Sequence, residues 1–395
     1  MTKKYVLLVP DGAADEPLDE LSGQTPLAAA RTPRLQALAA AGTLGTVVTV
    51  PAGMPPGSDV ANLAVLGYEP RAVYTGRAPL EAASIGVDLG PNDIAYRCNL
   101  VTILDGAMHD FTAGHIDSGT ARDLMGLLAE AFRGRPFEFY AGVSYRNLMV
   151  WRDGAETACT PPHDILDQRV EPYLPEGEVG AVLGEVMSRA RSAIAGRSAA
   201  TDIWLWGQGR APHIPLFKET WGLSGAVVGA VDLIKGIGRC AGLEVVDVPG
   251  ATGDLDTDYG AKARAAVCAL ARHDFVFVHV EAPDEAGHMG SAVEKVKAIE
   301  RIDAEVLAPL LDCDHDPWVL VVPDHPTPIR LRTHTGVPVP FVYGRATAAR
   351  AAGAGRAAFS EAAAAAAGLD LPSGRTLMER FLSDAGHALC PAVVR

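Results

Sequence analysis

The sequence predicts an α/β fold, a mostly parallel sheet flanked by helices and carrying a smaller inserted α+β domain. Three observations predict it. Apolar runs rich in β-branched residues alternate with stretches of helical spacing, the rhythm of parallel strands joined by helical crossovers. Between about residues 91 and 195 the texture changes to turns, Pro-rich segments and runs that read as antiparallel strands. At 395 residues the chain exceeds the usual size of one hydrophobic core, so two domains are expected, with a single elaborated α/β domain as the alternative.

The strand candidates of the core are YVLLV (5–9), GTVVTV (45–50), DIWLW (202–206), LEVVDV (243–248), FVFVHV (275–280), WVLVV (318–322) and PVPFVYG (338–344). Between them TPRLQALAAAG (32–42), SDVANLAVLGY (58–68), AVVGAVDLIKGIG (226–238), DYGAKARAAVCALARH (258–273) and SAVEKVKAIERIDAEVLAPLL (291–311) repeat apolar residues at helical spacing, most of them ending near Gly. Residues 1–90 and 196–395 are assigned to the core and 91–195 to the insertion. The insertion reads as the strand segments NDIAYRCNLVTILDG and PFEFYAGVSYRNLMVWRDG with the helices SGTARDLMGLLAEAF and EVGAVLGEVMSRARSAI. The Ala-rich segment 345–370 reads as a surface helix with flexible flanks and carries no evident chemistry.

Composition excludes several function classes. A net charge of −14 disfavours nucleic acid as a partner, since a phosphate backbone needs a basic surface. A small anionic substrate remains open, provided metal ions or local Arg and Lys offset the field. No run reaches the roughly 18 apolar residues of a membrane span. MTKKYVLLVPDG reads as a strand and a turn, without the features of a signal peptide, so a cytoplasmic location is expected. Cys98, Cys159, Cys240, Cys268, Cys313 and Cys390 form no close pair, which argues against a disulfide framework or a thiolate zinc site and for buried or inert thiols. The oligomeric state is left open.

The chemistry is concentrated where apolar runs end. Asp284 stands four residues before His288, the i,i+4 spacing that aims both side chains from one helical face. Asp324 and His325 follow WVLVV, and His334 comes nine residues later. Carboxylates with neutral imidazoles favour borderline divalent ions such as Mn, Zn or Co over Mg alone. Asp11 leaves the first strand at the edge where ligands collect in parallel sheets, although a turn Asp before Gly is also common there. Ser58 opens a helical pattern after a Pro-Pro-Gly turn. As an N-cap it would be purely structural. As a nucleophile it would sit beside free helix N–H groups able to hold a phosphate. His279 reads as a strand residue, and Glu281 as a group standing behind the ligands at most. No phosphate-binding G-x-x-x-x-G-K-[ST] segment is present, and GIGRCAG (236–242) is off the dinucleotide spacing, so nucleotide use is not supported.

The segments PDG near the start, GSDVANLAVLGY, YTGRAPLEAASIG, LWGQG, LIKGIG, VPGATGDLDTDY, HVEAPDEAGHMG and PDHPTP…THTGVPVPF resemble the cofactor-independent (2,3-bisphosphoglycerate-independent) phosphoglycerate mutases, in their shorter archaeal-type branch within the alkaline phosphatase superfamily. The resemblance covers nearly the whole chain. It implies an alkaline-phosphatase-like core with two divalent metal ions, Mn preferred with Zn or Co as alternatives, and no 2,3-bisphosphoglycerate. It also implies an inserted domain that closes over a small phosphorylated substrate. Carried over residue by residue, it gives one metal to Asp284, His288 and His334, and the other to Asp11, Asp324, His325 and Ser58. Ser58 would be the phosphorylated nucleophile and His115, in AGHIDS, a proton shuttle. Arg146, in SYRN, and Lys235, in LIKG, would bind the carboxylate and phosphate of the substrate. The implied reaction is the interconversion of 2-phosphoglycerate and 3-phosphoglycerate. One departure stands out: PDHPTP and RTHTGVPVPF replace the GDHSTP and KDHS-type segments of the mutases. They resemble a bacterial subgroup proposed to act as a homoserine kinase, so a related metal-dependent phosphotransferase or phosphatase is the second reading.

Overall fold

The first strand, β1 (Tyr5–Pro10), is buried along its whole length, as an unbroken apolar run requires of a strand covered on both faces. It belongs to a computed structural model that describes residues 3–353 and 357–389, so Cys390 lies outside the described residues. Along the chain follow β2 (Thr43–Val47), β3 (Ile94–Leu104), β4 (Ala107–Asp110), β5 (Phe137–Val143), β6 (Arg146–Trp151) and β7 (Asp202–Gly209). Then come β8 (Gly225–Val228), β9 (Glu244–Val245), β10 (Phe275–Val280), β11 (Trp318–Val321), β12 (Val339–Arg345) and β13 (Asp370–Leu371). The chain divides into one unit of residues 1–74 with 214–395 and a second of residues 75–213.

The first unit is built on an eight-stranded sheet in the order β13-β2-β12-β11-β1-β10-β8-β9. β1 pairs in parallel with both β10 and β11, and β8 joins β10 in parallel, giving the mostly parallel α/β sheet expected. β12 departs from that expectation. It runs antiparallel to β11 and to β2, so the PVPFVYG and GTVVTV runs form a reversed wing. Register fixes where the chemistry emerges: Pro10 pairs with Val280 and Leu8 with Val321. Continued three residues, the second register sets Asp324 level with Asp11. The residues after β1, β10 and β11 therefore leave the sheet at one carboxyl edge.

Three local expectations change. The 226–238 stretch opens as strand β8, and only Asp232–Cys240 is helical, because a short apolar run buried between neighbouring strands has no period that distinguishes strand from helix. LEVVDV yields only the two-residue β9. The 291–311 helix is interrupted at Ile302–Leu307 by a π turn, from which Asp303 accepts the backbone N–H groups of Arg34 and Leu35 and so caps the helix Pro33–Ala41.

In the second unit β3 is the spine. It pairs antiparallel with β6, β7 and β4, and β5 extends the sheet from β6. Tyr96, Leu100 and Met149 from the sheet meet Leu124, Leu128 and Leu183 from the helices Ser118–Ala131 and Gly177–Ile194 in one buried core. The unit is wider than the 91–195 assigned from texture. Ala78 and Ala82 of the helix Arg77–Ser84 pack on Ala95 and Leu148, and the DIWLW run is not a core strand but β7, the partner of β3. Two glycines permit the close passage of the segments that enter and leave this unit. A Cβ on Gly76, whose φ is +146°, would meet the Gln208 carbonyl oxygen at 2.0 Å, and one on Gly209 would meet that of Thr75 at 2.1 Å. The described cysteines are free; Cys98 is buried while Cys268 is exposed. No helix among the described residues is long and apolar enough to cross a membrane.

Candidate active site

Two groups of ligand-type side chains form at the carboxyl edge of the first unit. Asp11, Asp324 and His325 bring one oxygen or nitrogen each within 4.8 Å of one another, and Asp284, His325 and His334 do the same. His325 thus faces both groups. His288 stands beside the second: its Nε2 lies 3.2 Å from Asp284 Oδ2 and 3.0 Å from His334 Nε2. The i,i+4 spacing works as expected, because the helix Ala282–Met289 follows β10 directly and carries Asp284 and His288 on one face. The Nδ1 of His288 is 3.0 Å from the carbonyl oxygen of Arg332, which can only accept, so Nδ1 carries a hydrogen and Nε2 is the nitrogen directed at Asp284 and His334.

The electrostatics suit a cation. Burial, then the charges of Asp324 and Asp284, push Asp11 well above the usual carboxylate range. Its Oδ1 is buried with no hydrogen-bond partner. Burial opposes ionisation of Asp284 as well, yet hydrogen bonds and charge from His288 and His334 outweigh it and hold that carboxyl well below its usual range. Burial also works against charge on His288, but Asp284 more than compensates and the imidazole is pushed up to about 9. His325, fully enclosed, is pulled down by burial. Three buried carboxylates, three imidazoles, no thiolate and an orphaned carboxylate oxygen form a donor set that fits borderline divalent metals.

Ser58 is not a helix cap. The helix Ser58–Val65 is preceded by an extended Gly57 as N-cap, and Ser58 is its first helical residue, with a side chain that caps nothing. Its Oγ lies 3.1 Å from His325 Nε2 and donates toward Asp11 Oδ2 at 3.5 Å. One turn on, the Asn62 side-chain amide donates to Asp324 Oδ2 at 2.8 Å and to the Ser58 carbonyl oxygen at 2.8 Å. Sequence reasoning missed Asn62, though its i,i+4 relation to Ser58 was available. It also missed Thr327, whose hydroxyl donates to Asp284 Oδ1 and stands 3.3 Å from His325 Nδ1. The fully buried Lys295 fixes that loop by donating to the Thr327 carbonyl oxygen at 2.8 Å while paired with Asp15 at 2.7 Å. His279 is the strand residue expected, with one addition. It lies in β10, and its Nε2 is 3.4 Å from Asp11 Oδ2.

Gly12 is required by geometry. Its N–H donates to Asp324 Oδ1 at 3.1 Å, its φ is +63°, and a Cβ there would come within 2.6 Å of both Asp284 Oδ1 and Thr327 Oγ1. Gly12→Ala is therefore expected to displace Asp284. We expect a loss of about 1–3 kcal/mol in a denaturant titration and weaker metal binding by calorimetry; unchanged values for both would show the loop to be more yielding than its packing implies.

The structure gathers Asp11, Ser58, Asp284, His288, Asp324, His325 and His334 in one unit. His115 and Arg146 lie in the other, flanking one ring: Tyr145 is 6.4 Å from the His115 ring and 5.1 Å from the Arg146 guanidinium carbon. Lys235 lies in the first unit on the helix Asp232–Cys240 and pairs with the exposed Asp247 at 3.6 Å.

The family model for 2,3-bisphosphoglycerate-independent phosphoglycerate mutase matches residues 39–198. A 2,3-bisphosphoglycerate-independent phosphoglycerate mutase of Methanosarcina acetivorans is 50% identical over 347 residues, covering 84% of this chain and 87% of the relative. The chain belongs to this family. Among solved structures, a protein from Pyrococcus horikoshii is 28% identical with a TM-score of 0.80, covering 99% of each chain. The cofactor-independent phosphoglycerate mutase from Thermoplasma acidophilum is 27% identical with a TM-score of 0.64, covering 97% of this chain and 100% of its own. The α/β fold read from the sequence is the fold of the family, and the chain is an enzyme of the isomerase class.

Proposed function

We propose that this family member interconverts 2-phosphoglycerate and 3-phosphoglycerate without 2,3-bisphosphoglycerate, in glycolysis and gluconeogenesis in the cytoplasm, through a phosphoserine at Ser58. The observation that carries the reading is the placement of Ser58 Oγ, at the first turn of a helix whose N-cap is the side-chain-less Gly57, 3.1 Å from His325 Nε2 and 3.5 Å from Asp11 Oδ2. Two divalent ions, Mn preferred with Zn or Co as alternatives, would be held by Asp284, His288 and His334 and by Asp11, Asp324 and His325 with Ser58. When bound, such ions lower the pKa of a hydroxyl and neutralise phosphoryl oxygens.

The residues of the chain supply the rest. Ser58 Oγ attacks phosphorus in line, and the bond from phosphorus to the glycerate oxygen breaks. Helix N–H groups next to Ser58 hold the transferred phosphoryl oxygens. His115 gives a proton to the leaving oxygen and takes one from the other hydroxyl, which then attacks phosphoserine and releases Ser58. Arg146 and Lys235 bind the carboxylate and phosphate. We assign to the second unit the retention of glycerate and exclusion of water, without which the phosphoserine would hydrolyse and the enzyme would act as a phosphatase.

An assay coupled to 2-phosphoglycerate consumption, run with Mn and with Co, tests the substrate. Turnover of 3-phosphoglycerate without nucleotide is expected. ATP-dependent phosphorylation of homoserine with no activity on 3-phosphoglycerate would replace this reading by the one that PDHPTP and RTHT raise.

A further inference from the structure

Behind Asp11 lies a closed chain of buried polar groups that the reaction above does not use. His279 Nε2 is 3.4 Å from Asp11 Oδ2, and His279 Nδ1 is 3.2 Å from Glu281 Oε1. Glu281 Oε2 pairs with Lys262 Nζ at 2.6 Å, and the same ammonium donates to the His279 carbonyl oxygen at 3.1 Å, closing a loop. His279 and Lys262 are completely enclosed and Glu281 is 4% exposed. A carboxylate can only accept, so the hydrogen that meets Asp11 Oδ2 belongs to Nε2, while Nδ1 faces Glu281 Oε1 without a hydrogen-bond partner among the described residues. The Asn62 side-chain nitrogen stands 3.4 Å from the same Nε2.

Asp11 needs such a support. Among the described residues its Oδ1 has no hydrogen-bond partner, and the N–H of the neighbouring Gly12 is committed to Asp324. Glu281 reaches further. Its Oε1 also lies within 3.2 Å and 3.4 Å of the donating N–H groups of Ala230 and Val231, the residues just before the helix that carries Lys235. One carboxylate therefore ties the strand bearing His279 to the start of that helix. A buried Lys–Glu pair costs desolvation that hydrophobic residues of similar volume would not incur, so stability alone is a poor reason for it.

We infer that His279, held by Glu281 and Lys262, is a positioning residue for the Asp11 half of the site: it fixes the Asp11 carboxylate so that Oδ1 stays turned toward a cation. The inference rests on the reading of Asp11 as a metal ligand, and its test separates the two. Mn is titrated calorimetrically into the metal-stripped full-length protein and into His279→Gln, which leaves the Lys262–Glu281 pair and its amide contacts in place. The smaller His279→Asn serves if Gln is not accommodated. The unaltered protein is expected to bind two ions, and the variant to bind one of them about 10–100-fold more weakly with the other unchanged. Fewer than two ions on the unaltered protein would overturn the underlying reading of the metal ligands. Two ions bound by the variant with unaltered affinities, or both weakened equally, would overturn the positioning role, since the first means that Asp11 needs no support and the second means a general loss of structure.

Discussion

Ser58→Ala is expected to lower mutase turnover by at least about a thousand-fold and to abolish the acid-stable phosphoenzyme, while the folded protein keeps its stability and both metal groups. Each part follows from a separate feature. The chemical loss follows because Ser58 Oγ is the hydroxyl held against His325 and Asp11 at the start of the helix. The stability is spared because Ser58 is the first helical residue and its side chain caps nothing. Had it been the cap, removal of the hydroxyl would cost about 0.5–2 kcal/mol. Calorimetric titration with Mn should still reveal two ions, with the Asp11, Asp324 and His325 group weakened only modestly by the loss of one oxygen. Turnover at a substantial fraction of the unaltered rate would sink the phosphoserine route, whatever the metal content.

The parts of the site legible in the sequence are those written in local spacing. The unbroken runs of β1, β10 and β11 announced strands, and Asp11, Asp324 and His325 follow two of them closely enough that strand ends alone locate them. Asp284 and His288 needed only helical periodicity. What could not be read depends on register between distant strands. His279 faces Asp11 because β10 pairs with β1 with Val9 opposite His279, a relation no local window contains. The same holds for the wing of β12 and β2, since an apolar strand run carries no mark of its direction. Residues 75–90 and 196–213 carry helix and strand signals that would suit either unit, and only the pairing of β7 with β3 and the packing of Ala78 and Ala82 assign them. Family motifs went further than spacing because they encode such long-range relations without stating them.

Asp284→Asn is the other large effect expected, and it has a signature that activity alone would not give. Asp284 is the group on which its half of the site converges: His288 Nε2 is 3.2 Å away, His334 Nε2 is 3.5 Å away, and the Thr327 hydroxyl donates to it. An amide retains an oxygen for Thr327 and keeps the volume, so the fold should persist. It removes the charge that two imidazoles share and that the proposed cation would need, so one of two ions should be lost and turnover should drop at least about a thousand-fold. The metal-stripped protein reports the same charge through pH. His288 is raised from 6.5 to about 9, chiefly against its burial and by Asp284. Its contribution to stability is therefore complete below about 6.5 and is lost as pH rises through about 9. Asp284, held below its usual range, contributes above that range and loses the contribution on acidification. In the presence of chelator the melting temperature of the unaltered protein should fall across pH 6.5 to 9, and that of Asp284→Asn should lack this fall, with the His288 ring resonances titrating at lower pH. A metal-stripped variant that still loses stability over the same window would show that some other group, not the Asp284–His288 pair, carries the alkaline dependence.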